Sequence, residues 1–274
     1  QRCKGTPVLN LQERKAMVEA VKWVDEVIQE VPYNLSEEFI QELFTKHRID
    51  YIVHGDDPCL LPDGTDAYAI AKRQGKFINV KRTEGVSTTD IVGRMLLCES
   101  GSRTSGDPDV GHTFLPTSRR IVQFSSGNRP KPGQRVVYVD GDWDIFHIGH
   151  IDLLKAAKAQ GDFLLVGIHS DADVKEQFGV HHPILSLHER ALSVLACRHV
   201  DEVIMGAPLS ITKDLLTNFN ISMVVTTLPQ GHPSDQVRYG VPHAQGLLQR
   251  LDIRMGTSKA DMISRIVANR AVFK

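Results

Sequence analysis

The feature that most constrains this chain is that it contains part of itself twice. Pro7 to Pro32 matches Pro183 to Pro208 at one constant offset, with roughly half of the positions identical. Chance would supply about one in fifteen or twenty. The shared residues include Glu13-Arg14 with Glu189-Arg190, and Val24-Asp25-Glu26-Val27-Ile28 with Val200-Asp201-Glu202-Val203-Ile204. A period this long is far beyond that of a solenoid and has the size of a domain. Two copies of one fold are therefore expected, and 274 residues are enough for two ordinary domains.

The second copy can be read from its front. Val136 to Val139 is a short β-branched run, Gly141 marks a turn, and Ile151 to Ala159 has helical spacing. Strand Phe163 to Ile168, helix Leu187 to Ala196, strand Val200 to Ile204, helix Ile211 to Phe219 and strand Met223 to Val225 follow. Strands that alternate with helices imply an α/β fold with a parallel sheet covered on both faces. The first copy alternates in the same way from Leu11 onward, with strands expected at Val24 to Ile28 and Tyr51 to Val53. Its first strand, first helix and second strand, roughly forty residues, have no counterpart, so the first copy is expected to be incomplete and the chain a piece of a longer polypeptide. The expected division is 1–98 for the rear of the first copy, 99–135 for a Ser-, Gly- and Pro-rich linker, and 136–274 for the second copy.

The segment with the most chemistry is Asp140-Gly141-Asp142-Trp143-Asp144-Ile145-Phe146-His147-Ile148-Gly149-His150, between the first strand and first helix of the second copy. Open α/β sheets bind ligands at that edge, and a helix N-terminus offers unpaired N–H groups to a phosphate. His147 and His150 would share one side of the first turn and direct imidazole donors at charge developing during nucleotidyl transfer. Gly149 is expected to let the backbone approach the ligand, and Asp142 and Trp143 are further candidate nucleotide contacts. The first copy supplies a complementary set. Arg82-Thr83-Glu84-Gly85 and the hydroxyls of Ser87, Thr88 and Thr89 open a helix over Asp90 to Leu97 and read as a phosphate cradle. His54-Gly55-Asp56-Asp57 follows a strand and is a candidate for the base or ribose.

In this order and context, His-x-Gly-His, Trp-Val-Asp-Glu-Val and Arg-Thr-Glu-Gly-Val-Ser-Thr-Thr-Asp resemble the cytidylyltransferases of phosphatidylcholine and phosphatidylethanolamine synthesis. The resemblance covers nearly the whole chain, and tandem copies point to the ethanolamine branch of that family. It implies tandem Rossmann-like HxGH nucleotidyltransferase folds and CMP transfer from CTP to phosphoethanolamine, giving CDP-ethanolamine and pyrophosphate, with Mg²⁺. It also implies that Lys4, Arg82 and Ser87 to Thr89 meet the phosphates, and that His147 and His150 meet transition-state charge. No protein ligand set for a metal is implied.

The copies depart from that pattern in opposite ways. In the second, Phe178 or Val180 stands in the lysine's place, His54-Gly55 becomes Thr226-Thr227, and Thr257 and Ser258 remain as the candidate nucleotide contacts of a degraded cradle. The first copy keeps the cradle and lacks the histidines, so neither copy is expected to hold a complete site. A non-catalytic cytidine-nucleotide-binding or regulatory module is the competing reading. His-x-Gly-His is also a signature of class I aminoacyl-tRNA synthetases. The duplication and the balance of 32 Lys and Arg against 33 Asp and Glu argue against that reading and against nucleic acid as a partner. Four widely spaced cysteines suggest neither a zinc knuckle nor a disulfide framework. No apolar run reaches the ~18 residues of a transmembrane helix. A cytoplasmic protein is expected, with peripheral membrane association and self-association left open.

Overall fold

The computed structural model describes residues 7–81, 91–96, 127, 129–253 and 256–269. Along the chain run α1 (Leu11–Glu19), α2 (Glu37–Thr45), β1 (Ile52–Gly55), α3 (Ala69–Arg73), β2 (Phe77–Val80), β3 (Val136–Gly141) and α4 (Ile148–Lys158). They are followed by β4 (Phe163–Ile168), α5 (Asp171–Phe178), α6 (Leu187–Ala196), β5 (Glu202–Met205), α7 (Lys213–Asn218), β6 (Ile221–Thr226), α8 (Asp235–Ala244), β7 (Leu248–Arg250) and α9 (Lys259–Ala268). A further helical stretch covers residues 91–96.

The second repeat is a parallel sheet in the order β5-β4-β3-β6-β7. Its central strands are continuous apolar runs because helices cover both faces. Val137 and Val139 of β3 pack with Leu154 and Ala157 of α4 and with Ala191 and Val194 of α6. Val136 and Tyr138 point the other way, against Leu215 and Leu216 of α7 and Tyr239 of α8. From β3 the chain winds outward through β4 to β5, then returns to β3's other side for β6 and β7. The C-terminal end of β3 is thus the switch point at which such sheets bind ligands.

Two compact units emerge, and their boundary cuts through the first repeat. One contains residues 28–81; the other contains residues 8–27 and 91–96 together with the second repeat. In the smaller unit β1 and β2 pair in parallel, and Leu35, Ile40 and Ala71 are buried beneath them with Phe39, Ile52 and Phe77. Val53, Ile78 and Val80 on these strands are exposed.

In the larger unit, α1 and residues 91–96 meet the second repeat in a reciprocal way. Val21 and Cys197, equivalent positions of the two copies, form an antiparallel bridge. The Lys22 N–H donates to Ala196 O at 2.9 Å and the Arg198 N–H to Ala20 O at 2.8 Å, the same bond made in both directions. Glu13 pairs with Arg265 at 2.7 Å, and Glu189 pairs with Arg94 at 3.0 Å. The repeats therefore share a local pseudo-two-fold relation, as the self-complementary contacts of an isologous dimer do.

One expected strand does not form. Val24 to Ile28 is irregular, whereas the matching part of the second repeat is β5, which is held in parallel by β4. A strand needs a neighbour for its N–H and C=O groups, and among the described residues no strand pairs with 24–28. The Val21 and Val24 carbonyls instead accept from the Arg198 guanidinium. Other boundaries move by a few residues: α4 begins at Ile148 and so includes Gly149 and His150.

Leu154 is fully buried between α4 and the sheet, so Leu154→Ala is expected to destabilise the protein by about 2–5 kcal/mol. Val180, 72% exposed, should tolerate the same truncation within about 0.5 kcal/mol. Urea denaturation of the two variants compares them directly.

Candidate functional site

The loop from β3 to α4 holds a shape that its own residues disfavour. Trp143 and Ile145 adopt positive φ values of 54° and 47°, a left-handed conformation that costs any residue with a Cβ. Four sets of contacts hold it. The Trp143 indole is buried and its Nε1–H donates to Gly167 O at 2.9 Å, while Ile145 packs with Ile184, Leu185 and Met262. The Asp144 carboxylate accepts from the backbone N–H groups of Ile184 and Leu185, each at 2.9 Å. Arg190, with no exposed surface, donates to Asp142 O, to Leu185 O at 3.1 Å, to His169 O at 2.9 Å and to Asp171 Oδ1 at 2.6 Å.

This frame delivers the two histidines to the start of α4. His147 is the N-cap residue and His150 lies in the first turn. Their rings stack with centroids 3.9 Å apart and planes 22° apart. His150 is flanked by Phe146 at 5.5 Å and Trp143 at 5.3 Å. The His147 N–H donates to His150 Nδ1 at 3.4 Å, which leaves the proton of a neutral His150 on Nε2. Among the described residues His147 Nδ1 is buried without a hydrogen-bond partner, so an incoming polar ligand would gain a contact there.

Lys259, the first residue of α9, supplies a cation that the motif comparison missed. Its Nζ lies 2.9 Å from Asp142 Oδ2, 3.4 Å from Asp144 Oδ2 and 5.0 Å above the Phe178 ring. The signal was its position directly after Thr257-Ser258, since only folding shows that α9 starts beside the loop after β3. The hydroxyls expected to meet nucleotide are engaged by protein groups. Thr257 donates to Glu13 Oε1 at 2.6 Å, and Ser258 donates to Asp261 Oδ2 at 2.7 Å while capping α9. The close approach expected at Gly149 is to protein as well. A Cβ there would lie 2.8 Å from Thr257 O, so glycine is required by the chain segment packed over it.

At the end of β3, Asp140 accepts from Tyr239 Oη at 2.9 Å and from Arg238 Nη2 at 3.0 Å, and Arg238 also lies 2.9 Å from His169 Nε2. Sequence reasoning passed over this cluster. Aligning Tyr68 with Tyr239 puts Ala67 opposite Arg238, and that mismatch between copies was its one signal. In the smaller unit, His54 and Gly55 end β1, and the His54 ring stands 4.8 Å from Tyr68. Asp56 and Asp57 follow, both exposed. Lys4, Arg82, Thr83, Glu84, Gly85, Ser87, Thr88 and Thr89 lie outside the described residues.

A strand, a His-x-Gly-His turn and a helix at the switch point of a parallel sheet narrow the choice of family, and comparison decides it. The family model described as cytidylyltransferase-like matches residues 1–94 and again 138–232. The chain belongs to the cytidylyltransferase-like family. It is 50% identical to the ethanolamine-phosphate cytidylyltransferase of Arabidopsis thaliana, covering 99% of this chain and 72% of that protein. For the enzyme of the same name from Dictyostelium discoideum the identity is 44%, over 99% of this chain and 81% of that protein. For that of Mus musculus it is 37%, over 99% and 77%. The family match falls once on each repeat, so this cytidylyltransferase-like chain is a tandem one.

The electrostatics of the turn favour uncharged donors. Burial lowers the pKa of His147. Burial and the stacked His147 push His150 down to about 3. Burial would raise Asp142, but the ammonium of Lys259 more than offsets it and keeps the carboxyl ionised. On Glu13 the Arg265 bond is the largest influence, and the pKa is lowered to about 2. Among the described residues no group of three or more His, Cys, Asp or Glu is placed to hold a metal ion, and no helix is long and apolar enough to cross a membrane.

These shifts set a pH dependence. A histidine whose folded pKa lies below its unfolded value stabilises the fold above about 6.5, and that contribution is lost as pH falls towards about 3. His150 is therefore expected to cost up to about 2 kcal/mol between pH 7 and pH 5. Glu13 adds its own loss only below about 4.5, as pH falls towards about 2. Urea titrations at pH 7 and pH 5 should show a smaller difference for His150→Gln than for the unaltered protein.

Proposed function

We propose that this protein transfers CMP from CTP to phosphoethanolamine, releasing pyrophosphate and forming CDP-ethanolamine. The observation that carries the reading is the His-x-Gly-His turn at the sheet's switch point, in a chain whose relatives across nearly its whole length are ethanolamine-phosphate cytidylyltransferases. A phosphoethanolamine oxygen attacks the α-phosphorus, the bond to the pyrophosphate oxygen breaks, and negative charge builds on the leaving group. Such a reaction needs aligned donors more than proton transfer. Neutral imidazoles held by stacking and burial are donors of that kind, and in the second repeat they serve to bind nucleotide phosphate.

The repeats divide the remaining work. Lys4, Arg82 to Gly85 and Ser87 to Thr89 of the first repeat take the triphosphate, and His54 to Asp57 take the base or ribose. The second repeat is less suited to turnover, because Thr257 and Ser258 hold protein groups and Lys259 is ion-paired. It fits a nucleotide-binding or regulatory role beside the catalytic repeat. Mg²⁺ enters with CTP, coordinated mainly by phosphate oxygens as that ion commonly is. Both substrates are water-soluble phosphates, which supports a cytoplasmic location. Peripheral attachment to a membrane and self-association are part of the same proposal.

The test is CDP-ethanolamine formation from CTP and phosphoethanolamine with Mg²⁺, with phosphocholine as the competing acceptor. Arg82→Ala is expected to lower kcat/KM about a hundredfold or more, and His147→Ala much less. The reverse order would move the active centre to the second repeat.

A further inference from the structure

Glu13 belongs to the first repeat, yet its carboxylate closes on α9 of the second. Oε1 accepts the Thr257 hydroxyl at 2.6 Å; Oε2 accepts from Arg265 Nη1 at 2.7 Å and from the Asn10 N–H of its own helix cap at 2.8 Å. The equivalent Glu189 does the same in reverse. It accepts from Arg94 Nη1 and Nη2 at 3.0 Å each, and from the Ser186 N–H of its own cap at 2.8 Å. Arg94 Nη1 also donates to Ile184 O at 2.8 Å. A capping box needs only the bonds between a helix's own first residues. The bonds to the other repeat are additional, and they are made twice about the Val21–Cys197 bridge.

Arg94 and Arg265 occupy matching positions, each four residues beyond an aspartate, Asp90 or Asp261, that closes the Gly-and-hydroxyl segment of its repeat. Each arginine therefore rides on the helix that follows that segment. In the second repeat the consequence can be traced to the histidines. Glu13 fixes the Thr257 hydroxyl, and the Thr257 carbonyl lies against Gly149, between His147 and His150.

We propose that Glu13 and Glu189 are positioning residues acting across the repeats, each clamping the helix behind the other repeat's phosphate-binding segment. The catalytic part rests on reading Arg82 to Thr89 as the triphosphate cradle. On that reading, Glu189 of the less catalytically suited repeat tunes CTP binding by the other. This gives the second repeat a function even if it turns over nothing itself.

Glu189→Gln keeps a side chain able to cap α6 and removes the charge that grips Arg94. In steady-state assays of CDP-ethanolamine formation it is expected to raise KM for CTP about tenfold. KM for phosphoethanolamine should change less than about twofold. Arg94→Met should do the same, and the double variant should be no worse than either single one, as expected of one shared interaction. Lys15→Gln on the surface of α1 is the control and should leave both constants unchanged. A fall in kcat with KM for CTP unaltered, or additive effects in the double variant, would overturn the catalytic claim. Hydrogen exchange on the same proteins gives a readout independent of turnover. Glu189→Gln should speed exchange in residues 91–96, and Glu13→Gln in residues 256–269. Changes confined to the mutated helix would overturn the clamp. Absence of CDP-ethanolamine from the unaltered protein would instead count against the proposed reaction, with hydrogen exchange still deciding the clamp.

Discussion

The buried guanidinium of Arg190 is the contact on which the second repeat's site depends. Its donors reach the carbonyl of Asp142 after β3, the carbonyl of His169 after β4, the carbonyl of Leu185 before α6 and the carboxylate of Asp171 at the start of α5. Loop carbonyls at the end of a parallel sheet have no strand to bond with, and leaving them buried and unpaired would be costly. One planar, permanently charged side chain satisfies several of them together. The unusual backbone at Trp143 and Ile145 can persist because this frame and the packed indole over-determine it. The equivalent Arg14 is exposed.

Charge around the His-x-Gly-His turn is organised so that the histidines stay neutral. Stacking removes water from both rings, and a proton on either would face the other ring and the ammonium of Lys259. Asp142 would favour a protonated imidazole, but Lys259 pairs with it. Buried neutral imidazoles need little reorganisation when negative charge appears beside them, which is the condition under which fixed donors contribute most to phosphoryl chemistry.

The pseudo-two-fold relation explains why a repeat with a degraded cradle keeps its motif around Glu189 and Arg190. Arg190 serves the repeat's own loops, whereas Glu189 reaches the other copy. Parts of the first repeat, α1 and residues 91–96, are consequently packed with the second repeat in one unit. A division drawn at the linker follows the gene-level duplication; the packed units follow the apolar contacts of Val8, Leu9, Val92 and Met95 with Ile184, Leu185, Met262 and Ile266.

The sequence by itself determined the duplication, the α/β class and the parallel sheet, because each rests on local pattern: repeated residues, β-branched runs and helical spacing. It also placed His147 and His150 after the first strand, since motif and neighbouring elements are contiguous. It could not determine that Val24 to Ile28 would remain irregular, because a strand's existence depends on a partner elsewhere in the sheet. Nor could it show that Gly149 makes room for Thr257, that Thr257 bonds Glu13 244 residues away, or that Lys259 brings a cation beside Asp142. Those contacts join residues far apart in the chain, and only the docking of α1 and α9 at the end of the sheet decided them.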